Sequence, residues 1–351
     1  MPRRSRTPAI GMIGRMRAIR RMLSSMNRFR LGQSDLTVSP VGLGCWQFSQ
    51  GRGMVGGYWN ALEHDRVVEI VRTSLEHGVD WFDTAEIYGR GASEQALAAA
   101  LDESGAPRDS YAIADKWWPA LRLAGSIQRT FPRRERALGG RSIDLHQIHQ
   151  PFSLSSVTRQ AAEMGRLVTE GRVRAVGVSN FTAEKMRTVH AVLQEQGVPL
   201  ASNQVKFSLI DREIERNGVL EAALELGVSI IAYSPLAQGI LTGKYHGEAD
   251  IRTTAGPRKY MKRFKPKGLE ATRPLVEELE RIASRHSVGA SQVALAWVIR
   301  RHGERIVTIA GASSARQAEA NAGAMSVELT EEEMRTLDSL GAEAEQALSE
   351  L

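Results

Sequence analysis

Gly78-Val79-Asp80-Trp81-Phe82-Asp83-Thr84-Ala85-Glu86-Ile87-Tyr88-Gly89 is the stretch whose reading decides the fold. Val79 to Phe82 reads as a short buried strand, entered from a helix that stops at Gly78. Asp83 falls where that strand ends. Apolar strands do not end in a carboxylate by preference, so Asp83 either caps a turn or is held at a strand tip for a purpose. Tyr88 follows in a loop closed by Gly89-Arg90-Gly91. The loop leads into the helical pattern of Ser93–Leu101, with Ser93 as the expected N-cap. One βα unit therefore carries an acid and a phenol in its loop.

The same alternation runs outward in both directions. Before it lie a small hairpin (Phe29–Gly32 and Leu36–Ser39), a Gly-containing strand Val41–Phe48, a Gly-rich loop from Gly51 to Gly57 and an amphipathic helix Asp65–Glu76. After it, strands at Tyr111–Lys116, Ile143–His149, Val173–Val178, Ala201–Phe207, Val228–Tyr233 and Arg305–Ala310 alternate with helical patterns. One of these, around Ala120–Ala137, is open to a break at Pro132. A long basic loop spans roughly Gln238–Gly268, helical patterns occupy Glu270–Arg285 and Ala290–Arg301, and a capping signal at Thr330–Glu333 starts a last helix. Eight inner strands alternating with helices predict a (β/α)8 TIM barrel with an N-terminal β-hairpin and extra C-terminal helices. A doubly wound sheet is disfavoured, because Gly42 and Gly44 are followed by Phe48-Ser49 rather than by the third glycine of a dinucleotide fingerprint. Residues 26–351 are expected to form a single domain.

The net charge of +6 suggests nucleic acid until it is located. Residues 1–25 hold seven arginines and no acid, so the rest of the chain is close to neutral, at about −1. Nucleic-acid binding is therefore not expected. The segment reads as a disordered basic arm, an Arg-rich targeting peptide or translated upstream sequence, and Met26 is the favoured functional start. A cytoplasmic location is expected, with organelle targeting through this arm as the runner-up. No apolar run reaches the length of a bilayer span. The single cysteine, Cys45, excludes an intramolecular disulfide and a cysteine-built metal site, and no metal is expected. Oligomeric state is not legible.

In such a barrel the C-terminal ends of the strands form the active-site face. Polar residues stand at those ends: Asp83, Lys116, His149, Ser179, Asn180, Gln204 and Ser234. Each alone has an ordinary structural explanation, as a cap, a solvated cation or a satisfied histidine. As a set in one mouth they make chemical sense. A free tyrosine titrates near 10, and a neighbouring ammonium stabilises its phenolate. Asp83, Lys116 and Tyr88 would form a relay that makes Tyr88 a proton donor, with His149 bonding the substrate oxygen as charge develops. A carbonyl that accepts a proton on oxygen accepts a nucleophile on carbon, and a hydride cofactor is the natural source.

The chain resembles the aldo-keto reductases, of the bacterial and plant type related to potassium-channel β-subunits and pyridoxal reductases. The likeness is carried by Asp80–Gly89, Ile143–His149, Gly177-Val178-Ser179-Asn180-Phe181, Tyr233-Ser234-Pro235-Leu236, and Gly311-Ala312-Ser313 with Gln317 and Asn321. It implies Tyr88 as general acid, Lys116 and Asp83 as its tuning pair, and His149 as the polarising group. It implies NADPH as cofactor, with NADH possible, and a small-molecule carbonyl substrate. Ser179, Asn180 and Gln204 match the carboxamide-holding residues, and Tyr233 matches the ring that stacks on the nicotinamide. Ser234, Pro235, Leu236, Ala237, Gly239 and Lys244 match the pyrophosphate segment. Gly311, Ser313, Gln317 and Asn321 match the adenosine end. Cys45, Trp46 and Asp83 are also counted with the cofactor.

Four positions depart from the family pattern: Asp115 before Lys116, Ala310 for proline, Ala320 for glutamate, and Gln317 (beside Arg316) where many relatives place arginine. Trp46, Trp117, Trp118 and Phe152 are expected to shape the substrate pocket, and an aromatic mouth suits apolar or planar aldehydes and ketones. Pyridoxal, quinone, sugar-like and α-keto substrates are all compatible. A cofactor-binding sensor with slow turnover, or a phosphate-processing barrel, would be the other classes; the missing Gly-Gly phosphate loop at strand seven speaks against the latter.

Overall fold

The computed structural model describes residues 28–247, 252 and 256–351. The basic arm of residues 1–25 and the start at Met26 lie outside the described residues. Eight parallel strands close into a barrel: β3 (Val41–Gly44), β4 (Trp81–Asp83), β5 (Ala112–Trp117), β6 (Ile143–Ile148), β7 (Val173–Ser179), β8 (Leu200–Lys206), β9 (Ser229–Tyr233) and β10 (Ile306–Gly311), with β10 pairing back onto β3. An antiparallel hairpin of β1 (Phe29–Arg30) and β2 (Thr37–Val38) precedes it. Helices alternate with the barrel strands around its outside, which is the (β/α)8 arrangement the alternation predicts.

The inside of the barrel is filled by one large residue among small ones. Trp81 is buried with Ala112, Ala114, Leu145, Ala175, Ala201, Ile231, Val307 and Ile309, and the hairpin side chains Phe29, Leu31, Leu36 and Val38 join the same cluster. Trp81 needs Gly42: a Cβ there would stand 2.3 Å from the indole. Burying an aromatic of about 200 Å² at ~25 cal/mol per Å² contributes at most about 5 kcal/mol. The hairpin is tied beneath the strands by Ser39 N donating to Asp80 Oδ1 at 2.7 Å and by Gly32 N donating to Ser229 Oγ at 2.8 Å. Gly32 has φ +56, and a Cβ would meet the Ala201 carbonyl at 2.6 Å, so the turn closes this tightly only with glycine.

Several local expectations change. The helix expected around 120–137 begins at Ser126 and continues through Pro132 without a break, ending at Ala137. Ser93 is not an N-cap; its helix starts at Ala92, and its buried hydroxyl lies 2.8 Å from Thr84 Oγ1 and donates to the Cys45 carbonyl at 2.7 Å. The helix after the basic loop begins at Pro266, where proline suits a first turn. The Thr330/Glu333 box caps its helix as expected, and Thr182 caps the helix Ala183–Gln194.

Candidate functional site

β4, β5 and β6 are neighbours, so their ends bring Asp83, Lys116 and, one residue beyond β6, His149 together. Lys116 is fully buried. Its ammonium donates to Asp83 Oδ1 and to the Thr84 carbonyl at 2.9 Å, and lies 3.5 Å from Tyr88 Oη. The other Asp83 oxygen accepts from Gln204 Nε2 at 2.9 Å and Gln147 Nε2 at 3.2 Å. Both carboxylate oxygens of Asp83 are therefore hydrogen-bonded, as burial requires. Tyr88 is brought to the ammonium by a sharp loop: Gly89 has φ +65, and a Cβ there would lie 2.3 Å from the Ser49 carbonyl.

Burial and charge set the protonation states. For Lys116, burial is the largest influence and favours the neutral form, but Asp83, Tyr88 and Asp115 together outweigh it and the pKa is raised. For Tyr88, burial raises the pKa and the Lys116 ammonium lowers it; burial wins and the phenol titrates above its ordinary value. The expected lowering by Lys116 is thus present but outweighed. Burial, aided by Lys116, holds His149 well below the usual imidazole value, so the ring is neutral. Its Nδ1 is buried with no hydrogen-bond partner among the described residues. The His149 ring stands edge-on to Tyr88, with centroids 5.6 Å apart.

These groups open into a cavity of about 700 Å³. Trp46 stacks over Tyr88 at 6.0 Å, and Trp118 stands edge-on to His149 at 5.2 Å. Trp117 does not face the cavity, which corrects that assignment. Lys116 points into the barrel, so the strand alternation turns Trp117 outward, where its indole N–H donates to Ser126 Oγ at 3.1 Å. Phe152 is half exposed outside the cavity, edge-on to Trp118 at 5.9 Å. Asp115 makes no hydrogen bond or ion pair with Lys116 among the described residues; its charge interacts with Glu94 and Arg134 and, more weakly, with Lys116.

Of the expected cofactor residues, Cys45, Ser179, Asn180, Gln204, Tyr233, Ser234, Pro235, Leu236, Gly239 and Lys244 line the cavity, as do Gly311, Ser313, Gln317 and Asn321. The Ala237 side chain is instead buried in the core. Asn180, at φ +60, donates to Ser179 Oγ at 3.1 Å and accepts from Tyr233 Oη at 2.9 Å. Gln317 is engaged internally: its Oε1 accepts from Ser313 N and Oγ at 2.8 and 2.9 Å. Arg316 lines the cavity beside it.

Sequence reasoning missed Trp59, Gln150 and Arg258, which also line the cavity. For Trp59 the available signal was an aromatic pair, Tyr58-Trp59, directly after two glycines; for Arg258 the basic loop gave none.

A family model described as the aldo/keto reductase family matches residues 40–342. An uncharacterized oxidoreductase of Mycobacterium bovis is 37% identical over 293 residues, covering 84% of this chain and 86% of its own length. The chloroplastic pyridoxal reductase of Arabidopsis thaliana is 32% identical over 321 residues, 88% of this chain and 85% of the relative. Among solved structures, the glycerol dehydrogenase of Gluconobacter oxydans superimposes with a TM-score of 0.75 at 26% identity, covering 90% of this chain and 95% of the other. With the barrel closed, the four polar groups at its mouth and the match running through nearly all of it, the chain belongs to the aldo/keto reductase family.

Proposed function

We propose that this oxidoreductase reduces an aldehyde or ketone to an alcohol with NADPH, Tyr88 giving the proton to the carbonyl oxygen. The observation that carries the reading is the buried Asp83–Lys116–Tyr88 chain with neutral His149 at one end of a long cavity. A dinucleotide fits the rest of that cavity: Ser179, Asn180 and Gln204 offer polar groups near the reacting end, and Lys244, Arg258 and Arg316 offer positive charge along it. With Gln317 engaged by Ser313, Arg316 is the cation placed for a 2′-phosphate, which supports NADPH over NADH.

A dinucleotide held there would supply a hydride for the carbonyl carbon. The protein does the rest. His149, as a neutral imidazole, can direct an N–H at the substrate oxygen without bringing a second charge near Lys116. Tyr88 is protonated at neutral pH and gives its proton to that oxygen. The phenolate left behind is stabilised by the Lys116 ammonium, which Asp83 holds in place. Trp46, Trp59, Ile87 and Trp118 give the substrate end an apolar lining, so planar aromatic carbonyls fit best. Pyridoxal, named for the plant relative, belongs to that class.

The test is loss of NADPH absorbance with a panel of aromatic aldehydes, pyridoxal, quinones and diketones, run with wild type and Tyr88→Phe. Turnover should fall by about 10²–10⁴ in the variant, with NADPH affinity nearly unchanged. Equal turnover in the two proteins would sink the assignment. Tight NADPH binding with no turnover of any carbonyl would move it to a cofactor-binding sensor.

A further inference from the structure

Of the seven large apolar side chains exposed among the described residues, four stand in two neighbouring loops on the active-site face. Leu121 and Leu123 follow β5; Phe152 and Leu154 follow β6. Leu121 is 87% exposed, Leu154 64% and Leu123 59%, and Phe152 is half exposed. A cluster of large apolar side chains left in water marks a surface that binds something.

The two loops are stitched together at Arg122. Its carbonyl accepts from Leu154 N at 3.0 Å and from Ser153 Oγ at 2.7 Å, and Ala124 N donates to Ser155 Oγ at 2.9 Å. Residues 121–123 therefore lie beside residues 152–154. The Arg122 side chain is anchored in turn: it pairs with Glu86 and donates to Thr130 Oγ1 at 2.6 Å and to Ser126 Oγ at 3.1 Å. The apolar ledge is thus held in place before anything binds, which lowers the ordering cost of binding. Leu121 itself sits in left-handed backbone, at φ +56, in a turn closed by Arg122 N donating to the Pro119 carbonyl at 3.0 Å. Leucine adopts that conformation only at a cost, and here its side chain gains no burial to offset it. Strain kept at an exposed residue points to a use for that residue outside the core.

The ledge is continuous with the cavity. Phe152 stands edge-on to Trp118 at 5.9 Å, and Trp118 edge-on to His149 at 5.2 Å. A carbonyl held at His149 has an unbroken apolar way outward, over Trp118 and Phe152 and onto the two loops. That continuity picks out the occupant among the apolar partners such a surface could take.

We propose that the ledge of Leu121, Leu123, Phe152 and Leu154 binds the hydrocarbon tail of the carbonyl substrate, so that this chain takes aldehydes or ketones carrying a tail longer than the aromatic end of the cavity. The inference rests on the reductase reading for the head of that molecule and not for its tail.

The test compares full-length wild type with Leu121→Asn/Leu154→Gln. Asparagine accepts left-handed backbone more readily than leucine, and neither change touches a backbone hydrogen bond of the loops. Kinetics with NADPH are run on benzaldehyde, 4-butylbenzaldehyde and 4-hexylbenzaldehyde. The matching benzamides, which are not reduced, are titrated by calorimetry into NADPH-saturated protein. A methylene taken fully out of water improves affinity about fourfold, so one laid on an open ledge should improve it about twofold. In wild type KM should fall by about that factor per methylene with kcat unchanged, and benzamide affinity should rise in step. In the variant both series should be nearly flat, with benzaldehyde kinetics and melting temperature close to wild type. The proposal is overturned if wild type shows no gain with tail length, or if the gain survives in the variant, which would put the tail elsewhere. It is equally overturned if the variant only abolishes a self-association seen by sedimentation, with the tail gain intact, since a second copy would then own the surface. Benzamides that bind more tightly with tail length in a protein that reduces no aldehyde would sink the reductase reading and leave this one standing. Turnover without a tail gain would do the reverse.

Discussion

The carboxylate of Glu86 accepts the backbone N–H of Trp118, joining the loop that carries Tyr88 to the aromatic side of the cavity. Arg122 closes the same knot: it pairs with Glu86 and donates to the Trp118 carbonyl at 3.0 Å. Arg134 reaches the other Glu86 oxygen at 3.5 Å. Glu86→Gln removes the charge that holds both arginines. KM for aromatic carbonyls should rise several-fold, kcat and NADPH affinity should stay close to wild type, and stability should fall by about 1–3 kcal/mol in denaturant melts. A fall in kcat at unchanged KM would show that Glu86 acts on the chemistry and not on Trp118.

The pH profile follows from Tyr88 and His149. Because burial raises the Tyr88 pKa, the phenol is protonated through neutrality, and reductive kcat should be flat there and fall only on the alkaline side. Alcohol oxidation, which needs the phenolate, should rise with pH instead. His149 is held well below 6.5 and is neutral already, so it should give no acidic limb between about pH 5 and 8. Lys116→Met should move the alkaline limb further up, since the one cation that lowers the Tyr88 pKa is gone. A limb near 6.5 in wild type would contradict the neutral histidine.

The adjacent tryptophans should separate cleanly. Trp117 is buried in the outer core, and Trp117→Ala should cost about 3–5 kcal/mol of stability. Trp118 is half-buried at the cavity, so Trp118→Ala should leave the melting temperature nearly intact while raising KM for bulky aromatic substrates. Thermal melts and steady-state kinetics on the two variants check this, and the reverse pattern would place Trp117 at the substrate.

Asp115 is a buried acid with neither oxygen hydrogen-bonded. Burial raises its pKa to about 7. An acid whose folded pKa is raised adds stability below its unfolded pKa near 3.9, and that stability is lost as pH rises through about 7. Asp115→Asn should therefore raise the melting temperature at pH 8 by several degrees and change little at pH 4, with kcat unaffected. His146 runs the other way: burial lowers its pKa to about 3, so its stabilising contribution is present above pH 6.5 and lost as pH falls toward 3.

The barrel was legible because β-strands and helices announce themselves by period and by their glycine stops, and a closed eight-strand sheet is what that alternation can build. Asp83, Lys116, His149 and Tyr88 were legible because each ends or follows a strand, and strand ends converge. The split between Trp117 and Trp118 was also within reach: once Lys116 is taken to point inward, alternation sends Trp117 outward. Ser93 was misread because a serine before a helix looks alike whether it caps the helix or, as here, bonds across to Thr84 and Cys45. Trp59 showed only as one of an aromatic pair after two glycines, and its meeting with Arg258 was not readable, since it depends on two irregular loops that no periodicity relates.

The hairpin beneath the strands has a practical consequence. Phe29, Leu31, Leu36 and Val38 are the bung in the bottom of the barrel, pressed against Trp81 and the alanines around it. The stretch matched to the family begins only at residue 40. A chain cut to that span would be a tube open at both ends, its greasy lining wetted from below. Whoever trims this protein for expression should leave the stopper in.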